Sequence, residues 1–244
     1  VRIWMENTDT LATAYVETPG GVVRYDGDAR IDGVPGSHAP IPLEFADTAG
    51  SSCGALLPTG NVVDEIAGVR VTCIDNGMPV VCLAASDLGL TGAETPAEIE
   101  AMPEVKARIE AVRLAAGPLM NLGDVTNQTV PKMSLLSPPV EGGHVSTRTL
   151  IPHRVHEAIG VLGAVSVATA CLLPGSVGAE VAEIPSYDGP LDVVVEHPTG
   201  FFTVSLEVDA SSGTPDVRRA ALLRTARLLM RGEVMVPSSV WSGA

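Results

Sequence analysis

Apolar and polar residues run along most of this chain in short alternating or clustered stretches, and one longer stretch breaks the rhythm. Residues 1–46 read as strands. Val1-Arg2-Ile3-Trp4-Met5 looks like the middle of one, Leu11–Glu17 alternates, and Val22–Tyr25 returns after Thr18-Pro19-Gly20-Gly21 as in a hairpin. A turn at Ile31–Gly36, a short strand at Ile41–Phe45 and a Gly/Ser-rich loop over 47–61 follow. Val69–Ile74 and Pro79–Ala84 are apolar strands on either side of Asp75-Asn76-Gly77-Met78, where Asn-Gly signals a turn. Pro96–Leu114 has helical spacing, with its charges from Glu98 to Arg113 forming a solvated face. Val130–Leu136 and His144–Ile151 are strands, and Leu191–Glu196 and Phe201–Asp209 form a hairpin over His197-Pro198-Thr199-Gly200. Ala220–Val236 mixes a strand with a short helix ending at Arg231-Gly232. Many strands around few helices predict an α+β fold.

The exceptional stretch runs from Gly160 to about Leu173 and is almost wholly apolar. A helix with no polar face must be buried. It opens on Gly160-Val161-Leu162-Gly163, directly after His153, Arg154 and His156. The first N–H groups of a helix have no partner within it, and that end of its dipole is positive. Two readings follow: a carboxylate site at a glycine-rich helix start, or a core helix whose glycines serve close packing. The turn carries the same pair of readings. Either the backbone and amide of Asn76, Gly77 and Met78 face a ligand, or Asp75–Met78 is only a hairpin connection.

Composition narrows the choice. The 244 residues are 45% hydrophobic and 18% charged, which excludes a disordered chain, and a net charge of −14 argues against nucleic acid and anionic membranes as partners. No transmembrane span is visible, since the apolar helix is too short. Lys106 and Lys132 are the only lysines, so the positive charge rests on arginines, which suit fixed carboxylate recognition. Cys53, Cys73, Cys82 and Cys171 lie far apart with no metal-ligand spacing, which fits a reduced, cytoplasmic compartment. Cys53 has no neighbouring cation to activate it, and Cys171 sits at the wrong end of its helix for a stabilised thiolate, so both read as structural. His153 and His156 find no third ligand, so no metal is expected. His38, His144 and His197 receive no role.

Seven ordered motifs carry a resemblance over essentially the whole chain. They are Gly-Ala-Leu-Leu-Pro-Thr-Gly-Asn (54–61), Ile-Asp-Asn-Gly-Met-Pro (74–79), Gly-Pro-Leu-Met-Asn-Leu-Gly (117–123), Pro-His-Arg-Val-His (152–156), Gly-Ala-Val-Ser-Val-Ala-Thr-Ala (163–170), Val-Glu-His-Pro-Thr-Gly (195–200) and Leu-Arg-Thr-Ala-Arg (223–227). On these the chain resembles the PrpF family, and within it the 4-oxalomesaconate tautomerase/isomerase group of bacterial aromatic degradation. The resemblance implies a diaminopimelate-epimerase-like fold: two similar domains, each a curved sheet around a central helix, with the substrate between them. On this numbering, 1–68 would be the C-terminal part of an incomplete first domain and 69–230 the second, with 231–244 a return strand and tail packing on the first.

The family's Arg-Gly-Gly-Thr-Ser-Lys-Gly and Asn-Cys-Gly-Asn motifs do not occur in these 244 residues. No catalytic residue is therefore matched, and the family lysine and cysteine are expected upstream. The epimerase cysteine near the helix start is also replaced, by Ile159-Gly160-Val161-Leu162. The implied activity is a cofactor-independent allylic proton transfer on a tricarboxylate keto acid. Asn76, Gly77, Met78, His153, Arg154, His156, Gly160, Val161, Leu162 and Gly163 would hold its carboxylates. The alternatives are a related aconitate or methylitaconate isomerase, or an inactive carboxylate-binding fragment. A homodimer is implied at the level of the family.

Overall fold

A computed structural model describes residues 1–6, 10–209 and 215–241. Eleven strands form one sheet in the order β1-β2-β3-β11-β10-β9-β8-β7-β6-β5-β4. Toward the β4 end, β5 (Val69–Asp75) and β6 (Pro79–Ala84) pair antiparallel, and β6 runs parallel to β7 (Lys132–Ser137). Then β7 pairs antiparallel with β8 (Val145–Leu150), which runs parallel to β9 (Leu191–His197). A parallel neighbour needs a crossover, and helices supply both. The first crossover carries α1 (Pro96–Glu100) and α2 (Pro103–Leu119), the second α3 (Val161–Cys171) and α4 (Val177–Val181).

Central strands without a polar face are explained by helices on both sides. On β6, Val80 and Cys82 join the core around α3, while the intervening Val81 and Leu83 join the core under α2. The α3 core draws side chains from β2 (Thr10–Ala14) and β3 (Ile41–Phe45), through β10 (Gly200–Asp209) and β11 (Asp216–Arg224), to β5. The sheet thus curves around one apolar helix, whose residues from Gly163 to Cys171 are all buried.

Several expected elements differ. Val22–Tyr25 is not a strand, because both edges of β2 are already taken by β1 (Arg2–Met5) and β3. The Pro96–Leu114 helix is split at Met102. Pro103 cannot donate a backbone hydrogen bond and disfavours helical backbone at the residue before it, while Thr95 and Glu98 cap α1 reciprocally. Val69 opens β5 just after the turn that joins it to β4 (Asp64–Ile66), so β4 lies at the far edge of the sheet from β1–β3.

The return to β3 is made by β11, paired from Ala220–Phe45 to Arg224–Ile41, and not by residues 231–241 of the expected 231–244 segment. Residues 225–241 form neither helix nor strand, and Leu229, Met230, Val234 and Met235 are exposed. A helix of one or two turns does not hold itself without burial, and none is supplied there among the described residues. Residues 242–244 lie outside the described residues. No helix among those described is long and apolar enough to cross a membrane.

Candidate active site

The start of α3 is open. Gly160 precedes the helix with extended backbone, and no side chain caps it. The first main-chain bond of the helix joins Ala164 N–H to Gly160 O at 2.8 Å, which leaves the N–H groups of Val161, Leu162 and Gly163 ahead of it. A Cβ built on Gly160 or on Gly163 would meet nothing within 4 Å. Close packing therefore does not explain these glycines. They leave room in a cavity of about 200 Å³, lined by Met78, Lys132, Thr149, Ile151, His156, Gly160, Val161, Leu162 and Gly163.

The Asp75–Met78 turn is fastened to the same helix. Ser166 Oγ accepts from Asn76 N–H at 3.0 Å and donates to Met78 O at 2.7 Å. Asn76 Nδ2 donates to Thr169 Oγ1 at 2.9 Å, and Thr48 Oγ1 donates to Asn76 Oδ1 at 2.6 Å. Asn76 is fully buried, its amide is bonded to protein at both ends and it is not part of the cavity wall, so it fixes the turn. Gly77, at φ +89°, lies where a Cβ would stand 3.1 Å from Leu162 Cδ2. A side chain there would push on the first turn of α3. The carboxylate of Asp75 accepts from the N–H groups of Ser52 and Cys53, both at 2.7 Å, and burial raises its pKa against their pull.

The His153, Arg154, His156 group is divided. Ile151 N–H bonds Arg154 O and His156 N–H bonds Thr149 O, both at 2.8 Å, so 151–154 is a tight turn with His153 and Arg154 exposed at its tip. His153 Nδ1 lies 3.7 Å from Glu110 Oε2. Glu100, whose pKa is lowered chiefly by its hydrogen bond from Lys106, also feels the charge of Arg154. Neither His153 nor Arg154 lines the α3 cavity; His156 does. Its Nδ1 accepts the Ala158 N–H at 2.8 Å, which places the proton of the neutral ring on Nε2. Burial lowers the pKa of His197, at the end of β9, and nearby His156 acts in the same direction.

Two cations were misread or missed in the sequence. Arg113 is fully buried and not part of a solvated face. Its Nε and Nη2 each donate to Glu110 at 2.7 Å, and its Nη1 donates to Val125 O at 2.9 Å and Val130 O at 3.1 Å, fastening the loop ahead of β7. The spacing held the signal, since Ile109, Val112, Arg113 and Ala116 share one buried stripe of α2. Lys132 opens β7, in register with Val80. The pleat turns Met133 and Leu135 to the α2 core, hence Lys132 and Ser134 to the α3 side. That alternation was present in Lys-Met-Ser-Leu-Leu-Ser.

All four cysteines are free and buried, and burial pushes Cys53, Cys73 and Cys171 each up to about 12, which leaves them as thiols. Among the described residues, no group of three or more His, Cys, Asp or Glu side chains is placed to hold a metal ion.

Comparison with known proteins bears on the family and the fold. The sequence model of a family described as PrpF protein matches residues 1–237. The chain is similar to the (4E)-oxalomesaconate Delta-isomerase of Novosphingobium sp. strain KA1, at 61% identity over 97% of this chain and 65% of that protein. It is similar also to the 4-oxalomesaconate tautomerase of Pseudomonas putida KT2440, at 55% identity over 100% of this chain and 66% of that protein. The crystal structure of a methylitaconate-delta-isomerase superposes with a TM-score of 0.84 at 27% identity, over 96% of this chain and 65% of that one. The chain thus spans about two thirds of the length of the relatives it matches.

Proposed function

The chain belongs to the PrpF family, and from that premise we propose that it works in a cofactor-independent isomerase moving an allylic proton on 4-oxalomesaconate. The observation that carries this reading is the open cradle at the start of α3. There a glycine pair leaves main-chain N–H groups facing an unfilled cavity beside His156. A base removes a proton from a carbon conjugated to a carboxylate or keto group. The resulting dienolate carries its charge on oxygen, and the proton returns at another carbon.

Fixed N–H donors aimed at that developing charge stabilise it without reorganising. In this chain those donors are the N–H groups of Val161, Leu162 and Gly163 and the Nε2–H of His156. Met78, held by Ser166, closes one wall. His153 and Arg154 have no part in it, and Asn76 and Gly77 act through the shape of the turn. The proton-moving groups are assigned to none of the described residues. The names of the relatives support the substrate, because the two oxalomesaconate enzymes match at 55% identity or more and the methylitaconate enzyme at 27%.

The test is proton NMR of 4-oxalomesaconate in deuterated buffer with the intact protein. Isomerisation with deuterium uptake at the allylic carbon is expected. Turnover of methylitaconate with none of 4-oxalomesaconate would overturn the substrate, and no exchange on either would overturn the activity.

A further inference from the structure

The lysine in the wall of the α3 cavity is a residue the family motifs leave unassigned. We propose that Lys132 is the carboxylate-binding cation of the α3 cavity, reaching the substrate carboxylate that lies against the N–H groups of Val161, Leu162 and Gly163. The inference rests on the reading of that cavity as the substrate site.

Three observations carry it. Lys132 is part of the cavity wall, together with His156 and the two open glycines. It also lacks a counter-charge: among the described residues no carboxylate lies within ion-pair distance of Lys132, whereas Lys106 is paired with Glu100. This holds in a chain with 29 acidic residues against 15 lysines and arginines, where an unpaired half-buried cation is not the default.

Its ammonium is, thirdly, held in place. Nζ donates to Thr129 O at 2.6 Å, which uses one of three donors and leaves two for a ligand. The loop that carries Thr129 is itself held by Arg113, bonded to Val125 O and Val130 O on either side of it. The sequence therefore spends a buried arginine on fixing the strand entry from which Lys132 points. His156 cannot supply the same charge without losing its bond from Ala158 N–H, because protonation would place a second proton on Nδ1. The ring contributes a neutral donor, and Lys132 contributes the cation.

The fit is to a carboxylate and not to a larger anion. A cavity of about 200 Å³ lies below the 300–1,000 Å³ usual for drug-sized ligands, so it matches one arm of a small polycarboxylate better than a nucleotide. A carboxylate has two oxygens, one for Nζ and one for the helix start.

The experiment is a calorimetric titration of the intact protein with tricarballylate, a saturated tricarboxylate that cannot isomerise. It is repeated for Lys132→Met, Lys132→Gln and Lys132→Arg, alongside KM and kcat on 4-oxalomesaconate. Loss of one charge-assisted hydrogen bond predicts a Kd at least about tenfold weaker for Met and Gln. A similar rise in KM is expected, and affinity within about threefold of wild type for Arg. The Gln variant decides the matter if the Met variant does not fold. Unchanged Kd in a folded neutral variant, or no binding of tricarballylate by the wild-type protein, would overturn the proposal. Wild-type turnover with Lys132-independent binding removes the role of Lys132 and leaves the activity. Lys132-dependent binding without turnover of 4-oxalomesaconate removes that substrate and leaves the cation site.

Discussion

At the scale of the residue, two buried or half-buried charged side chains, Glu196 and Lys132, are treated differently by the molecule. The carboxylate of Glu196, although buried, accepts from the N–H groups of Val140, Glu141 and Gly143, and is complete as a loop clamp. Lys132 is not complete in that way. Burial lowers its pKa from the ordinary 10.5, and the nearby guanidinium of Arg113 adds to the effect. The ammonium form is therefore disfavoured by folding. Its cost to stability is present at pH values below the folded pKa and fades as pH rises through it toward the unfolded value. Lys132→Met is accordingly expected to melt above wild type at pH 7, with the difference shrinking as pH approaches 10.5. A difference that widens with pH in thermal melts would contradict this account of the residue. Neither Lys132 nor Arg113 was legible from charge alone, because a lysine in a strand and an arginine among glutamates both look solvated. Their positions relative to the apolar period, 2 for the strand and 3.6 for the helix, were the informative quantity.

At the scale of the element, α3 is positioned by hydroxyls on an otherwise apolar helix. Ser166 joins the Asn76 N–H and the Met78 carbonyl, and Thr169 receives the Asn76 amide while donating to Val165 O at 2.7 Å. Ser166→Ala leaves a buried N–H and a half-buried C=O without this partner, a cost of about 2 kcal/mol. The urea midpoint should fall accordingly at constant m. Because the turn holds Met78 and Gly77 against the cavity, kcat/KM should fall with it. A midpoint shift worth less than about 0.5 kcal/mol would show that the turn does not depend on this link.

The burial of α3 followed from its lack of a polar face, and the strands around it from their apolar runs. The failures have specific causes. Val22–Tyr25 had strand-forming residues but no free edge to join. The Ala220–Val236 segment had a strand, whose hydrogen-bond partner could not be read locally, and an apolar Leu-Leu-Met run that nothing among the described residues covers. The tight turn at 151–154, closed by the Ile151–Arg154 and Thr149–His156 main-chain bonds, leaves Arg154 exposed and out of the cavity wall although the two histidines and the arginine are near neighbours in sequence.

At the scale of the whole molecule, a continuous sheet curves around α3 and brings β7, the β5–β6 turn and the segment after β8 to one end of the helix. Three stretches far apart in sequence, 76–78, 132 and 149–163, meet there. The order of strands was not legible, since both parallel pairings depend on where the helical crossovers return, a long-range matter that hydrophobic periodicity does not encode. The fold class was legible through the motifs, which are long and ordered enough to identify the family, and the helix start was legible through its glycines. What those glycines do was left open between packing and binding, and the space around them supports the binding reading proposed above. Gly163 is buried within α3, yet a methyl group there would meet nothing beyond its own stretch of helix within 4 Å, and the residue lines the cavity.

The most direct measurement is therefore kcat/KM for 4-oxalomesaconate, with the thermal midpoint, for Gly163→Ala against wild type. Alanine favours a helix over glycine by about 0.5–1 kcal/mol, so a binding role predicts an unchanged or raised midpoint together with kcat/KM at least about tenfold lower. A folded variant with wild-type kcat/KM would contradict the assignment of the α3 start as the substrate site.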